Sequence, residues 1–121
     1  MLPSRLRRLP AHHIDEGAVL LEASTPRARL LGLAGLDESA LPPRHALLLR
    51  PCRSVHTFGM RFDLTLIFLT PGLPSLIEIG VPPGRIRGSL LATAVLEMHT
   101  GDGALFGELS ERIPRALLAG A

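Results

Sequence analysis

The sequence feature that most constrains the fold is a ten-residue run, Arg61–Thr70 (RFDLTLIFLT), with hydrophobic residues at every second position. This is the period of a β-strand, whose successive side chains point to opposite faces. One face of the run carries Phe62, Leu64, Leu66 and Phe68. The other face changes from polar to apolar along the run, in the order Asp63, Thr65, Ile67, Leu69. The pattern predicts a strand that starts half-exposed and ends buried on both faces.

Proline and glycine turns separate further short apolar runs, each typical of a strand. The predicted strands are Ala18–Ala23, Ala46–Arg50, Leu76–Val81, Thr93–His99 and an edge strand at Gly107–Ile113. We expect Leu76–Val81 to form a hairpin with Arg61–Thr70. In Thr93–His99 the alternation predicts that Glu97 and His99 point outward, opposite Ala94, Leu96 and Met98.

One helix is predicted near residues 26–34, because Thr25 is a good N-cap residue and Pro26 is favoured at the first helical position. These elements predict a mainly β, α+β domain resembling a small barrel or sandwich. With 121 residues the chain is expected to hold a single domain over residues 14–121. Residues 1–13 are predicted to be a flexible N-terminal arm unless Leu2, Leu6 and Leu9 dock.

Composition excludes several classes of protein. A hydrophobic fraction of 46% with 20% charged residues excludes a disordered chain. No apolar stretch is long enough to span a membrane, and no secretory signal pattern is present, so we expect no membrane association. The single cysteine, Cys52, favours a cytoplasmic location. All 13 basic residues are arginine, but the net charge is only +2 and aromatic residues are few, so nucleic-acid binding is not expected.

The segment from Arg50 to Arg61 (RPCRSVHTFGMR) contains the densest group of reactive side chains. We predict a ligand-binding surface there, formed by Arg53, His56, Thr57, Met60 and Arg61. Arg53 and Arg61, with Arg50 beside them, would suit a carboxylate or phosphate group. The alternative is that each arginine pairs with an acid, such as Asp63, Glu78 or Glu97, and only stabilises the sheet.

A nucleophilic site using Cys52 and His56 is the other interpretation of this segment. On a flat strand the two residues would lie about 13 Å apart, so a hydrogen bond between them needs a turn or a helical stretch. A small buried cysteine and a structural histidine are the simpler interpretations. A metal site would need ligands gathered from several predicted strands, so no metal and no cofactor is expected.

The run RPCRSVHTFGMRF (residues 50–62) resembles the DUF192 (UPF0127) family of small uncharacterised bacterial and archaeal proteins, in its cytoplasmic branch. Other positions follow the family pattern, including Leu41-Pro42-Pro43, Pro83-Gly84-Arg85 and Ala94-Val95-Leu96-Glu97. The resemblance covers roughly residues 18–105 and implies a compact, β-rich, barrel-like fold with no established activity or cofactor. Departures at Leu36, where the family has arginine, and Thr65, where it has aspartate, put a polar family site in doubt.

Three functional hypotheses follow. The first and favoured one is a non-enzymatic binding or accessory domain for a small anionic ligand or a partner protein. The second is an unrecognised enzyme that uses Cys52 or His56. The third is self-association through an exposed sheet edge, without any ligand.

Overall fold

The structure, a computed structural model, describes residues 2–14, 17–71, 76–103 and 105. Within these residues there are two short helices, α1 (Ser4–Arg7) and α2 (Pro26–Leu31), and a 3₁₀ turn at Glu38–Ala40. The eight strands of this part of the chain are β1 (Ala11–Ile14), β2 (Ala18–Ala23), β3 (His45–Leu49), β4 (Ser54–His56), β5 (Leu64–Leu69), β6 (Leu76–Val81), β7 (Ile86–Gly88) and β8 (Ala94–His99). The predicted α+β class is therefore confirmed.

Six of these strands form one mixed sheet in the order β1-β2-β3-β8-β5-β6. Only the β2–β3 pair is parallel. The remaining two, β4 and β7, pair antiparallel as a separate ribbon. The predicted barrel is not found among the described residues, because β1 and β6 end the sheet without pairing with each other. The predicted hairpin is confirmed as the antiparallel β5–β6 pair, in which Ile67 opposes Ile77.

Both faces of the large sheet are covered by apolar side chains. One face packs Leu47, Leu49, Leu66, Phe68 and Val95 together with Leu33 and Met60. The other packs Leu20, Leu48, Ile67, Leu69, Leu96 and Met98 with Leu105. The predicted double burial of the Arg61–Thr70 run is confirmed over Leu64–Leu69, where every residue is buried.

The leucines of the N-terminal segment dock onto the first of these faces. Leu6 is fully buried, and Leu2 and Leu9 pack against the same cluster. The Arg5 guanidinium donates hydrogen bonds to the carbonyl oxygens of Gly32 at 3.1 Å and Ala34 at 2.6 Å. These hydrogen bonds hold the N-terminal segment against the residues that follow α2. The last residues of the segment form β1, a strand that the sequence pattern did not predict.

The predicted edge strand at Gly107–Ile113 lies outside the described residues. In the described part of the chain, no helix is long and apolar enough to cross a membrane.

Candidate functional site

A cavity of about 920 Å³ opens between α2, the segment that leads into β4, and residues 90–93. Its lining residues come from three parts of the chain. These are α2 and its C-terminal end (Arg29, Gly32), the segment around β4 (Cys52, His56) and β8 with the residues just before it (Glu97). A cavity of this size accommodates a small organic molecule. Residues from three regions that are far apart in the sequence are therefore brought to one concave site.

Helix α2 is positioned by its two ends. At the start, the Thr25 hydroxyl oxygen accepts a hydrogen bond from the Ala28 N–H at 3.1 Å, with Pro26 following the cap, as the sequence predicts. At the end, Gly32 has a φ of +48°, which an L side chain rarely adopts. A Cβ at Gly32 would lie only 3.0 Å from Glu97 Oε1. Glycine thus allows the end of α2 to lie directly against the Glu97 carboxyl.

The segment around β4 is fixed by backbone hydrogen bonds to two neighbours. The Cys52 N–H donates to the Thr93 carbonyl oxygen at 3.0 Å, just before β8. Strand β4 then pairs with β7, with Val55 opposite Arg87. These contacts hold Cys52 and His56 along one wall of the cavity.

Glu97 is the residue of this site that sequence reasoning placed wrongly. The alternation in Thr93–His99 put its side chain outward, but Glu97 is only 1% exposed and lines the cavity. The outward prediction fails because both faces of the sheet are covered, so neither face of β8 points to water. One signal was present in the sequence: a single acid within the otherwise apolar run AVLEM, residues 94–98.

The Glu97 carboxyl has an unusual chemical state. Its Oε1 atom is buried and has no hydrogen-bond partner among the described residues. Across the sheet, the residues in register with Glu97 are Leu47 and Leu66, so its surroundings on both sides are apolar. Burial raises the pKa of Glu97 from 4.5 to about 8. The side chain is therefore a neutral carboxylic acid at neutral pH, able to donate one hydrogen bond.

The arginines of the cavity are not neutralised by acids. Arg29 donates a hydrogen bond to the Pro51 carbonyl oxygen at 2.6 Å, a neutral partner. The Arg53 side chain is exposed and has no ion pair or hydrogen bond with the residues that the structure describes. Because Glu97 is protonated at neutral pH, it does not offset these two charges. The cavity is therefore positively charged and suited to an anion.

Cys52 is not activated as a nucleophile. Its thiol donates a hydrogen bond to the Ser54 carbonyl oxygen at 3.2 Å. Burial is the main cause that raises the pKa of the Cys52 thiol. The Ser54 backbone hydrogen bond and the Arg29 charge lower it, and the charge that Glu97 gains above about pH 8 raises it further. A raised pKa leaves little thiolate at neutral pH, and the thiolate is the reactive form.

His56 stacks on Phe58, with ring centroids 5.5 Å apart. Its Nδ1 atom is buried and has no hydrogen-bond partner in the described part of the chain. Cys52, His56 and Glu97 line the same cavity. They do not form a metal site, because no group of three or more His, Cys, Asp or Glu side chains among the described residues could hold a metal ion.

Of the five predicted ligand-binding residues, the structure brings three together. Arg53, His56 and Met60 line the cavity. Thr57 is buried with its hydroxyl bonded to backbone, donating to the Pro82 carbonyl oxygen at 2.7 Å and accepting from the Arg85 N–H at 2.8 Å.

The fifth predicted residue, Arg61, lies away from the cavity. It pairs with Asp37 at 2.9 Å, and both side chains are exposed to solvent. The alternative that the arginines pair with acids is therefore correct for Arg61, although its partner, Asp37, is not among the acids named from the sequence. It is not correct for Arg53.

Comparison with known proteins adds evidence on the fold. A protein of unknown function from Novosphingobium aromaticivorans DSM 12444 has a similar crystal structure, with a TM-score of 0.60 and 18% identity over 80% of this chain and 76% of that chain. A second structure, from Sinorhizobium meliloti 1021 and described as a "putative transcription regulator", matches with a TM-score of 0.62 and 18% identity over 80% of this chain and 83% of that chain. Likeness at this identity establishes the shared fold alone. No family model and no curated protein matches the sequence.

Proposed function

We propose that this chain is a non-enzymatic binding domain for a small anionic ligand, which it holds in the cavity between α2 and β4. Membership of the DUF192 family and a cytoplasmic location, both expected from the sequence, are part of the same proposal. The observation that carries it is the pair of arginines, Arg29 and Arg53, that line a concave site without a charged acid beside them. Guanidinium groups bind carboxylate and phosphate oxygens through charge-assisted hydrogen bonds.

A small ligand is favoured over a partner protein by the depth of the polar groups. Glu97 lines the cavity and is almost completely buried, so we take it as the floor of the cavity, shielded from bulk solvent. A protein surface that covers the mouth would leave this group without a hydrogen-bond partner, whereas a small molecule inside the cavity reaches the floor.

An enzyme that uses Cys52 or His56 is the second candidate, and the observation in its favour is that both side chains line the same cavity. The raised pKa of the Cys52 thiol argues against it, because a catalytic cysteine needs a lowered pKa or an adjacent base. His56 stacks on Phe58. Neither residue has the arrangement that activates a nucleophile.

Regulation of transcription, the description given to the S. meliloti protein, is not part of the proposal. Nucleic-acid binding commonly relies on exposed aromatic residues interleaved with basic ones. Here Phe62 and Phe68 belong to the hydrophobic core, so they are not available for stacking on bases.

The test is anion binding measured by titration calorimetry at neutral pH, with inorganic phosphate, acetate and octanoate as probes. We expect at least one probe to bind, and Arg53→Gln to weaken its binding by about tenfold or more, because a charge-assisted hydrogen bond is lost. Arg61→Gln is the matched control, since Arg61 belongs to the same segment but lies outside the cavity. Equal losses in the two variants, or no binding of any probe to the wild type, would refute the proposal.

A further inference from the structure

The floor of the cavity carries a buried acid that the described part of the protein leaves unsatisfied. Glu97 is almost completely buried, and its Oε1 atom has no hydrogen-bond partner there. Buried polar atoms in folded proteins nearly always have such a partner. An unpaired carboxyl oxygen beside a cavity therefore points to a partner other than the described residues.

The groups around Glu97 determine what that partner is. The charged and titratable side chains that line the cavity with it come from α2 and from the segment around β4: Arg29, Cys52, Arg53 and His56. The flanking strands β3 and β5 present only Leu47 and Leu66 in register with Glu97. The two arginines repel a cationic ligand and attract an anionic one. An anion oxygen is also the acceptor that a protonated carboxyl needs.

Part of the mouth of the cavity, the side where its lining residues are exposed, is apolar, beside the exposed polar residues Arg53 and Ser54. Leu30, Leu90 and Leu91 line it and are 65%, 87% and 66% exposed. Large apolar side chains grouped at the entrance of a concave site favour a ligand with an apolar portion, because binding then removes apolar surface from water. An inorganic anion would leave these three leucines exposed.

Building on the proposed function, we propose that the ligand is a small organic carboxylate with an apolar portion, and that Glu97 binds its carboxylate by donating a hydrogen bond from a retained proton. The arginines then supply the positive charge, and the leucines at the mouth contact the apolar portion. In this proposal Glu97 acts as a neutral hydrogen-bond donor to the ligand, and not as a negatively charged group that binds a cation.

Binding of this kind depends on the Glu97 proton. Loss of that proton removes the donor and adds a negative charge facing the bound carboxylate. Burial raises the pKa of Glu97 to about 8, so the dissociation constant should be nearly constant below that pH and rise towards tenfold per pH unit above it.

The experiment measures octanoate binding by titration calorimetry, at a series of pH values on both sides of pH 8, in the wild type and in four variants. In Glu97→Gln, which keeps a neutral donor, we expect wild-type affinity within about threefold at neutral pH and loss of the pH dependence. In Glu97→Leu, which removes the donor, we expect binding at least about tenfold weaker at neutral pH. Glu78→Gln is the control acid, because Glu78 pairs with Arg87 away from the cavity and should leave the wild-type pH profile unchanged. Cys52→Ala, which removes the cavity's thiol, should keep the rise of the dissociation constant above pH 8, whatever its affinity at neutral pH.

The outcomes separate this inference from the function on which it rests. Arg53-dependent binding of phosphate without binding of octanoate would overturn the organic carboxylate and leave an anion-binding domain. A pH dependence of octanoate binding that survives in Glu97→Gln, or that disappears in Cys52→Ala, would overturn the role of Glu97. Failure of all probes to bind would overturn the proposed function itself.

Discussion

Thr57 and Glu97 are both buried polar residues, but their surroundings differ in one decisive respect. The Thr57 hydroxyl donates to one backbone carbonyl and accepts from one backbone N–H, so it is satisfied by the protein. The Glu97 Oε1 atom has no such partner among the described residues. A buried polar group that is fully bonded stabilises a fold, whereas one that lacks a partner beside a cavity is a candidate for binding. Burial alone does not distinguish the two roles.

Substitution of Thr57 is expected to reduce stability at every pH. Thr57→Val removes the hydroxyl and leaves the Pro82 carbonyl and the Arg85 N–H without their partner, so the free energy of unfolding should fall by about 1–3 kcal/mol. Urea denaturation measures the loss. Thr57→Ser keeps the hydroxyl and should retain most of the stability. Octanoate affinity of the folded Thr57→Val protein should match the wild type, and a marked loss there would mean that Thr57 belongs to the binding site.

At Glu97 the expected effect is a dependence of the free energy of unfolding on pH. Between the ordinary carboxyl pKa of 4.5 in the unfolded chain and about 8 in the folded protein, the folded state holds one proton more at this group. The contribution of Glu97 to stability is therefore greatest below about pH 4.5, falls by up to about 1 kcal/mol per pH unit as pH rises to 8, and is level above it.

The Glu97→Gln variant has no proton to lose, so this slope should be absent from it. The difference in unfolding free energy between the wild type and Glu97→Gln isolates the effect, because all other titrating groups occur in both proteins. A difference that is flat from about pH 5 to pH 8 would mean that Glu97 titrates normally and is not a buried neutral acid.

The smallest stability effect is expected at Cys52, whose thiol resembles Thr57 in already having a backbone acceptor. Cys52→Ala should reduce stability by about 1 kcal/mol or less, since the residue is only partly buried. The sharper measurement is the rate of alkylation by iodoacetamide near neutral pH. We expect labelling of the folded protein to be much slower than in denaturant, because burial raises the thiol pKa. Faster labelling when folded would favour the enzyme hypothesis.

The sequence predicted the strands whose signals are local and repeated. The alternation in Arg61–Thr70 and the turn that follows it were enough to predict the β5–β6 hairpin. Strand β7 was not predicted, because three residues, Ile86–Gly88, are too few to show a period and their pairing with β4 depends on distant chain. The predicted α+β class is confirmed, but the described strands form no closed barrel. Closure depends on which strands end the sheet, and alternation within a strand carries no information on that.

The candidate site was accessible to sequence reasoning only in part. Arg53, His56 and Met60 lie in one reactive segment, so composition alone drew attention to them. Arg29 and Glu97 come from other elements. They line the same cavity because α2 ends at Gly32, which lies against the Glu97 carboxyl of β8. The orientation of Glu97 could not be predicted by alternation, because that pattern separates two faces but does not say which of them meets water.

The hydrogen bonds of Arg5 make the N-terminal segment a remote support of the cavity. Its guanidinium donates hydrogen bonds to the carbonyl oxygens of Gly32 and Ala34, and Gly32 lies against the Glu97 carboxyl. Shortening or tagging this end of the protein would thus act on a pocket that it does not line. Under the proposed function, variation among the first few residues changes ligand affinity in the same way, while every cavity residue stays the same.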